Sequence, residues 1–195
     1  MKKLVIILVI LCCFSLSGCA GLMVAGAATG AVASQDRRTL PTQLEDENIE
    51  IKATTALFEN DEISKSTNID VVSYNTNVLL VGQAPTSSLK SKAQAEVEEI
   101  EKVNKVYNQI RIAAPISFFA KRNDEYLTSK IKSAMLFSSD FPSAKIKVVT
   151  ENNEVFLLGL VSKQEAEKAV ELARNVDGVS RVIKVFEIIE LDEDD

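Results

Sequence analysis

The chain has 195 residues, with 22 basic and 28 acidic side chains, no histidine and three cysteines. Without histidine there is no usual general base near neutral pH, no His-dependent triad and no commonest metal ligand; seven glycines and no G-x-S-x-G, Walker A or dinucleotide pattern leave little for a phosphate loop. The expectation is a protein that is not an enzyme and has no cofactor and no metal site, and its acidic balance disfavours nucleic acid.

Residues 1–18 read as a signal peptide. Lys2 and Lys3 form a positive start, and Leu4 to Phe14 is an apolar run too short to span a bilayer, which takes about 20 residues. Leu16-Ser17-Gly18-Cys19 resembles the lipobox of bacterial lipoproteins, in which the cysteine becomes the first mature residue and is acylated. Cys12 and Cys13 leave with the signal, so Cys19 is a lipid attachment point and the mature chain holds no disulfide. The alternative is an uncleaved N-terminal helix, interrupted by Ser15, Ser17 and Gly18. Two or more acyl chains, at about 0.8 kcal/mol per buried CH₂, hold a protein firmly to a membrane. Residues 19–45 follow as the lipidated cysteine and a flexible tether, rich in Gly and Ala up to residue 34. In Gram-negative lipoproteins an Asp after the cysteine favours the inner membrane. Here Ala20 follows, which points to the inner leaflet of the outer membrane, facing the periplasm.

The remainder repeats itself. NIDVVSYNTNVLLVGQ at 68–83 aligns without a gap on KIKVVTENNEVFLLGL at 145–160, 77 residues on. Flanking segments, 49–58 with 127–136 and 100–112 with 176–188, match at offsets of 78 and 76. Such drift marks two diverged copies of one unit, here 46–112 and 123–190, joined by 113–122 and followed by an acidic tail at 191–195. The first helix of each copy is expected to open after Asp46 or Asp124, acting as N-caps, with Ile49, Ala53 and Leu57, or Leu127, Ile131 and Met135, facing inward. Two strands follow, Ile69 to Ser73 with Val78 to Gly82, and Ile146 to Thr150 with Val155 to Gly159. Asn-containing turns join them, and Gly82 and Gly159 are expected to end the second strand. A second helix carries Leu89, Ala93, Val97 and Ile100, or Ala166, Ala169, Val170, Ala173 and Val176, with Ser162 and Glu165 forming a capping box. The last strand is Val103 to Ile112, or Val179 to Ile189. The order αββαβ is an α+β fold, with two helices on one face of a small three-stranded sheet.

This pattern resembles the BON domain. The residues that carry the resemblance are VLLVG and VFLLG, apolar strands ending in Gly, and Asp177-Gly178-Val179 before the last strand. The first copy departs, with Glu101-Lys102-Val103 in place of that glycine turn. A lipobox followed by two such units is similar to the dual BON-domain lipoproteins of Gram-negative outer membranes. The resemblance implies a non-enzymatic protein that supports outer-membrane integrity, binds anionic phospholipid such as phosphatidylglycerol through its second BON domain and gathers at division sites.

The residues themselves can be asked whether they suit that role. Residues 120–147 hold six basic and three acidic side chains, whereas 46–112 hold 7 and 11. On the first helix of copy two, Tyr126, Lys130, Ser133 and Phe137 share one face, and Lys132, Leu136 and Phe141 widen the patch. Rings to sit among headgroups and ammonium groups to meet phosphates are what an interfacial helix needs. The corresponding positions of copy one, Asn48, Lys52, Thr55 and Glu59, lack this chemistry. Two other readings stay open: Tyr126 or Phe137 packs against the first domain, and the lysines are a solvated face. Pro115, Ile116, Phe118 and Phe119 predict a packed connection. The competing function is an adaptor that docks on an outer-membrane assembly, division-site or peptidoglycan-linked protein partner.

Overall fold

The computed structural model describes residues 36–114, 116–139 and 141–190; the signal peptide, Cys19, most of the tether and the acidic tail lie outside them. Each copy is built on a tight hairpin. In the first, β1 (Asn68–Tyr74) pairs antiparallel with β2 (Asn77–Ala84); in the second, β5 (Lys147–Glu151) pairs with β6 (Glu154–Val161). Both two-residue turns need positive φ at both positions, and Asn75 (52°), Thr76 (62°), Asn152 (50°) and Asn153 (61°) supply it. A crossover helix, α3 (Ser87–Glu98) or α5 (Lys163–Arg174), then returns the chain so that the final strand lies parallel to β2 or β6. Ser162 and Glu165 form the predicted capping box.

The first helices, α1 (Leu40–Glu59) and α4 (Phe118–Leu136), start seven residues earlier than expected, on the N-caps Thr39 and Ser117. Asp46 and Asp124 are therefore not N-caps. Both sit buried in mid-helix and accept from hairpin turns: Asp46 from the Asn75 and Thr76 N–H groups, Asp124 from those of Asn152 and Asn153, all at 2.8 Å. Each carboxylate caps backbone N–H groups of a turn distant in sequence rather than those of its own helix. A short helix, α2 (Asp61–Ser66), was not expected. It begins on Asn60, whose side chain accepts from the Ile63 N–H, and it buries Ile63.

Gly82 and Gly159 do not end their strands, which run on to Ala84 and Val161. Their role is close approach. A Cβ on Gly82, at φ +118°, would lie 2.0 Å from the Asn68 carbonyl oxygen, and one on Gly159 would lie 2.6 Å from that of Lys145. The last strand of copy one is also not continuous. It divides into β3 (Lys105–Asn108) and β4 (Arg111–Ile112), both paired with β2, so the sheet has four strands rather than three. Between them Ile110 turns into the core, and its N–H is met by the Asn108 side chain at 3.2 Å. The second copy keeps three strands, closed by β7 (Arg181–Ile188). Where that copy has Gly178 at φ +101°, the first places Lys102 at +71°. The turn geometry thus survives loss of the glycine, at a steric cost of roughly 1–2 kcal/mol.

Each sheet is apolar on both faces. Ile49, Ala53, Leu57, Val78, Leu80 and Ala93 are among the residues that fill the space between the first sheet and its helices; Ile131, Met135, Val155, Leu157, Ala166 and Ala169 do so in the second. A third cluster, Tyr74, Leu79, Val81, Phe156, Leu158 and Val185, joins the opposite faces of the two sheets. The molecule is therefore four-layered, helices, sheet, sheet, helices. Polar contacts stitch the seam: Gln83 donates to the buried Glu151, Lys147 pairs with Glu50 at 2.8 Å and Arg111 pairs with Glu154 at 3.1 Å. Burial raises the Glu151 carboxyl above its usual range; the Gln83 hydrogen bond opposes this, and the nearby Asp124 and Asp70 add to it.

Candidate functional site: the outward face of α4

Helix α4 rests on the second core through Asp124, Leu127, Ile131 and Met135, and an α-helix advancing 100° per residue turns the next rows to water. Tyr126, Leu136 and Phe137 are 62, 66 and 84 % exposed. Lys132 and Ser133 are exposed too, and Lys130 is half-buried. Tyr126, Lys130 and Ser133 come together along one open groove of about 500 Å³, closed on its far side by Asn175, Val176 and Asp177. The Lys130 ammonium stands 5.5 Å over the Tyr126 ring and donates to the Asp177 carbonyl oxygen at 3.2 Å. Ring and cation are thus held side by side, and among the described residues no carboxylate pairs with that ammonium.

Phe141 does not join this patch. It is half-buried and packs on the core of the second domain. Phe118 and Phe119 do join the face, at 71 and 83 % exposed. The connection is expected to be packed, but these two rings are not: they stand on the first turn of α4 and face water. Extending the Tyr126 row back by seven residues reaches Phe119, so the helical period that found Tyr126 held this signal as well. The local positive balance is thinner than the count suggests. Lys145 is paired with Glu165 at 3.1 Å, Lys147 with Glu50 at 2.8 Å, and Lys121 with Asp70 at 3.3 Å. Arg122, 5.7 Å from the Phe118 ring, is paired with Glu125 at 3.7 Å, which leaves Lys130 and Lys132 to serve the face.

The BON domain family matches residues 45–114 and 123–190, one match on each half of the four-layered body. The chain belongs to the BON-domain family. Among BON-domain relatives, it is 38% identical over 175 residues to the outer membrane lipoprotein DolP of Haemophilus influenzae, covering 90% of this chain and 91% of that one. It is 39% identical over 155 residues to the 21 kDa hemolysin of Actinobacillus pleuropneumoniae, with 80% of each chain covered. It is 31% identical over 142 residues to the osmotically-inducible protein Y of Escherichia coli, with 71% and 70% covered. Both BON units are α+β, as the sequence predicts. Among the described residues no helix is long and apolar enough to cross a membrane, and no group of acidic or sulfur ligands is placed to hold a metal.

The segment ahead of the first BON unit is tied to both units. Arg37 pairs with Glu165 at 2.6 Å and donates to the Leu160 carbonyl oxygen at 3.0 Å, whereas Arg38 pairs with Asp46 at 2.8 Å and lies 3.9 Å over the Tyr74 ring. Burial alone would raise the Glu165 carboxyl. Hydrogen bonds from Arg37, the Ser162 N–H and Lys145 outweigh it and bring the group down to about 2. Nothing local in Arg37-Arg38 names these partners, which for Arg37 lie more than a hundred residues away.

Proposed function

We propose that the chain is an outer-membrane lipoprotein, acylated at Cys19 and facing the periplasm from the inner leaflet, whose second BON domain binds anionic phospholipid through the outward face of α4. The observation that carries the reading is the row of exposed rings, Phe119, Tyr126 and Phe137, over the length of the helix, with the half-buried Lys130 between them. Lys132, Ser133 and Leu136 flank it, while Phe141 supports the domain from within. Rings enter the headgroup region and the lysines meet phosphate, each contributing about 1 kcal/mol near an anionic surface. Likeness to a protein named an outer membrane lipoprotein supports the address. A non-catalytic role agrees with the chemistry, because Asp46 and Asp124, the most buried carboxylates, are already held by hairpin N–H groups. Membrane support at division sites is the cellular role this reading assigns.

The test is flotation of residues 34–195, which hold all three buried clusters, on phosphatidylglycerol and on neutral vesicles. Selective flotation that falls with added salt and is lost in Tyr126→Ala/Lys130→Ala is expected. Failure to float on either vesicle sinks the lipid reading and leaves the acyl chain as the membrane contact, with α4 or α1 free for a protein partner.

A further inference from the structure

The outward face of α1 carries a row that lipid binding does not use. Leu40, Leu44, Ile51 and Phe58 are exposed, opposite the buried Asp46, Ile49, Ala53 and Leu57. With the exposed Glu47 and Thr54 they recur at intervals of 4, 3, 4, 3 and 4 residues, the spacing of a seam that seats a second helix. At 1.5 Å per residue the row is about 27 Å long. Four large apolar side chains exposed along one face of that length mark a contact surface.

Helix α4 carries a row with the same spacing: Phe119, Asn123, Tyr126, Lys130, Ser133 and Phe137. Laid antiparallel, the two rows agree position by position. Apolar ends meet, Leu40 with Phe137 and Phe58 with Phe119; in the middle Ile51 meets Tyr126 and Glu47 meets Lys130. Neither Glu47 nor Lys130 has a carboxylate or ammonium partner within its own chain among the described residues. Charge selects the same match. Helix α1 holds five acidic residues and one lysine, and α4 holds four basic and two acidic. Pairing α1 with α1 joins two acidic helices and sets Glu47 against Ile51, and pairing α4 with α4 joins two basic ones. Opposite charges meet when α1 lies on α4. One chain cannot satisfy both rows itself, since α1 packs on the first sheet, α4 packs on the second, and the sheets lie between them.

We propose that α1 of one copy seats antiparallel on α4 of a second copy, with Glu47 and Lys130 as the selective pair. The contact is heterologous, leaving an unused α1 and an unused α4 at its two ends, so association either closes on itself or extends. A single helix pair buries less than the roughly 1,200 Å² of a standard interface, which makes this a weak contact that grows with local concentration. Confinement to a membrane by an acyl anchor raises that concentration. The α4 row cannot serve lipid and a second copy at once, so the two compete.

Sedimentation of residues 34–195 without lipid tests the pairing, taken into the hundreds of micromolar. The weight-average mass is expected to rise with concentration. Glu47→Lys and Lys130→Glu should each weaken association at least about tenfold, because like charges then face each other. The double variant regains it, and so does an equimolar mixture of the two single variants, in which a lysine at 47 meets a glutamate at 130. Thermal melts of these surface variants check that each remains folded. A wild-type chain that stays monomeric throughout, or single reversals that associate as the wild type does, overturns the proposal. If instead Leu44→Asp abolishes vesicle flotation of a monomeric chain, the α1 row faces the membrane and the pairing is equally overturned. Failure to bind lipid in the flotation experiment does not bear on this result, which contains no lipid.

Discussion

The two BON units share a frame and differ on the surfaces that frame presents. Asp46 and Asp124 occupy equivalent positions, yet Asp46 accepts from Arg38, Ser73, Asn75 and Thr76, whereas Asp124 accepts from Asn152 and Asn153. Outside, α1 is acidic around its apolar row and α4 is basic around its aromatic one. The difference teaches where duplication leaves freedom. Positions that hold a hairpin to its helix are retained because a buried N–H without an acceptor costs about 1–3 kcal/mol. Outward positions hold no buried group of the frame in place, so they are free to acquire opposite chemistry.

Three perturbations would sharpen or break this comparison. The largest effect is expected at the strand glycines. Gly82→Ala places a Cβ against a backbone oxygen at a left-handed φ, and it should cost well over about 3 kcal/mol. Gly159→Ala, crowded but without a positive φ, should cost roughly 1–3 kcal/mol. Equal losses in urea unfolding would mean that the backbone at Gly82 relaxes freely.

Next come the aspartates. Asp46→Ala strands two turn N–H groups, the Ser73 hydroxyl and the Arg38 guanidinium, and should cost about 3–4 kcal/mol; Asp124→Ala strands two N–H groups and should cost about 2–3 kcal/mol. A reversed order would show that the extra partners of Asp46 contribute nothing.

Acid gives the smallest effect. Glu165, held down to about 2, contributes stability that is full above the usual carboxylate range near pH 4.5 and is lost as pH falls towards 2. Arg37→Ala removes its closest partner, so stability at neutral pH should drop by roughly 1–2 kcal/mol, and the difference from wild type should shrink as pH falls towards 2, leaving only the lost hydrogen bond to the Leu160 carbonyl. A loss that persists unchanged at that pH would assign Arg37 a role in packing instead.

Much of the fold was legible because it rests on local chemistry. The Asn-containing turns, the Ser162–Glu165 box and the 4-residue stripes of Leu127, Ile131 and Met135 specify their elements over short spans. What escaped was long-range. A carboxylate at Asp46 signals that it will cap free N–H groups, but sequence does not say whether those belong to its own helix or to a turn 29 residues on. Strand β6 reads VFLLGLV, with no alternation, which is the mark of a strand covered on both faces; the neighbour that covers it is the other copy of the same strand. For the candidate surface, Tyr126, Lys130, Ser133 and Phe137 were visible from helical period alone. Phe118 and Phe119 were masked by the expected linker, and Phe141 was misplaced because the chain turns inward after α4.

The layer made by Tyr74, Leu79, Val81, Phe156, Leu158 and Val185 also limits how such a chain can grow. In solenoids each added repeat exposes a fresh face for the next, so the array has no natural length. Here each copy has a single sheet face to offer, and the two faces consume one another. The arithmetic of this duplication stops at two: a third copy would find nothing to lie against, and a lone copy would leave its inner face wet.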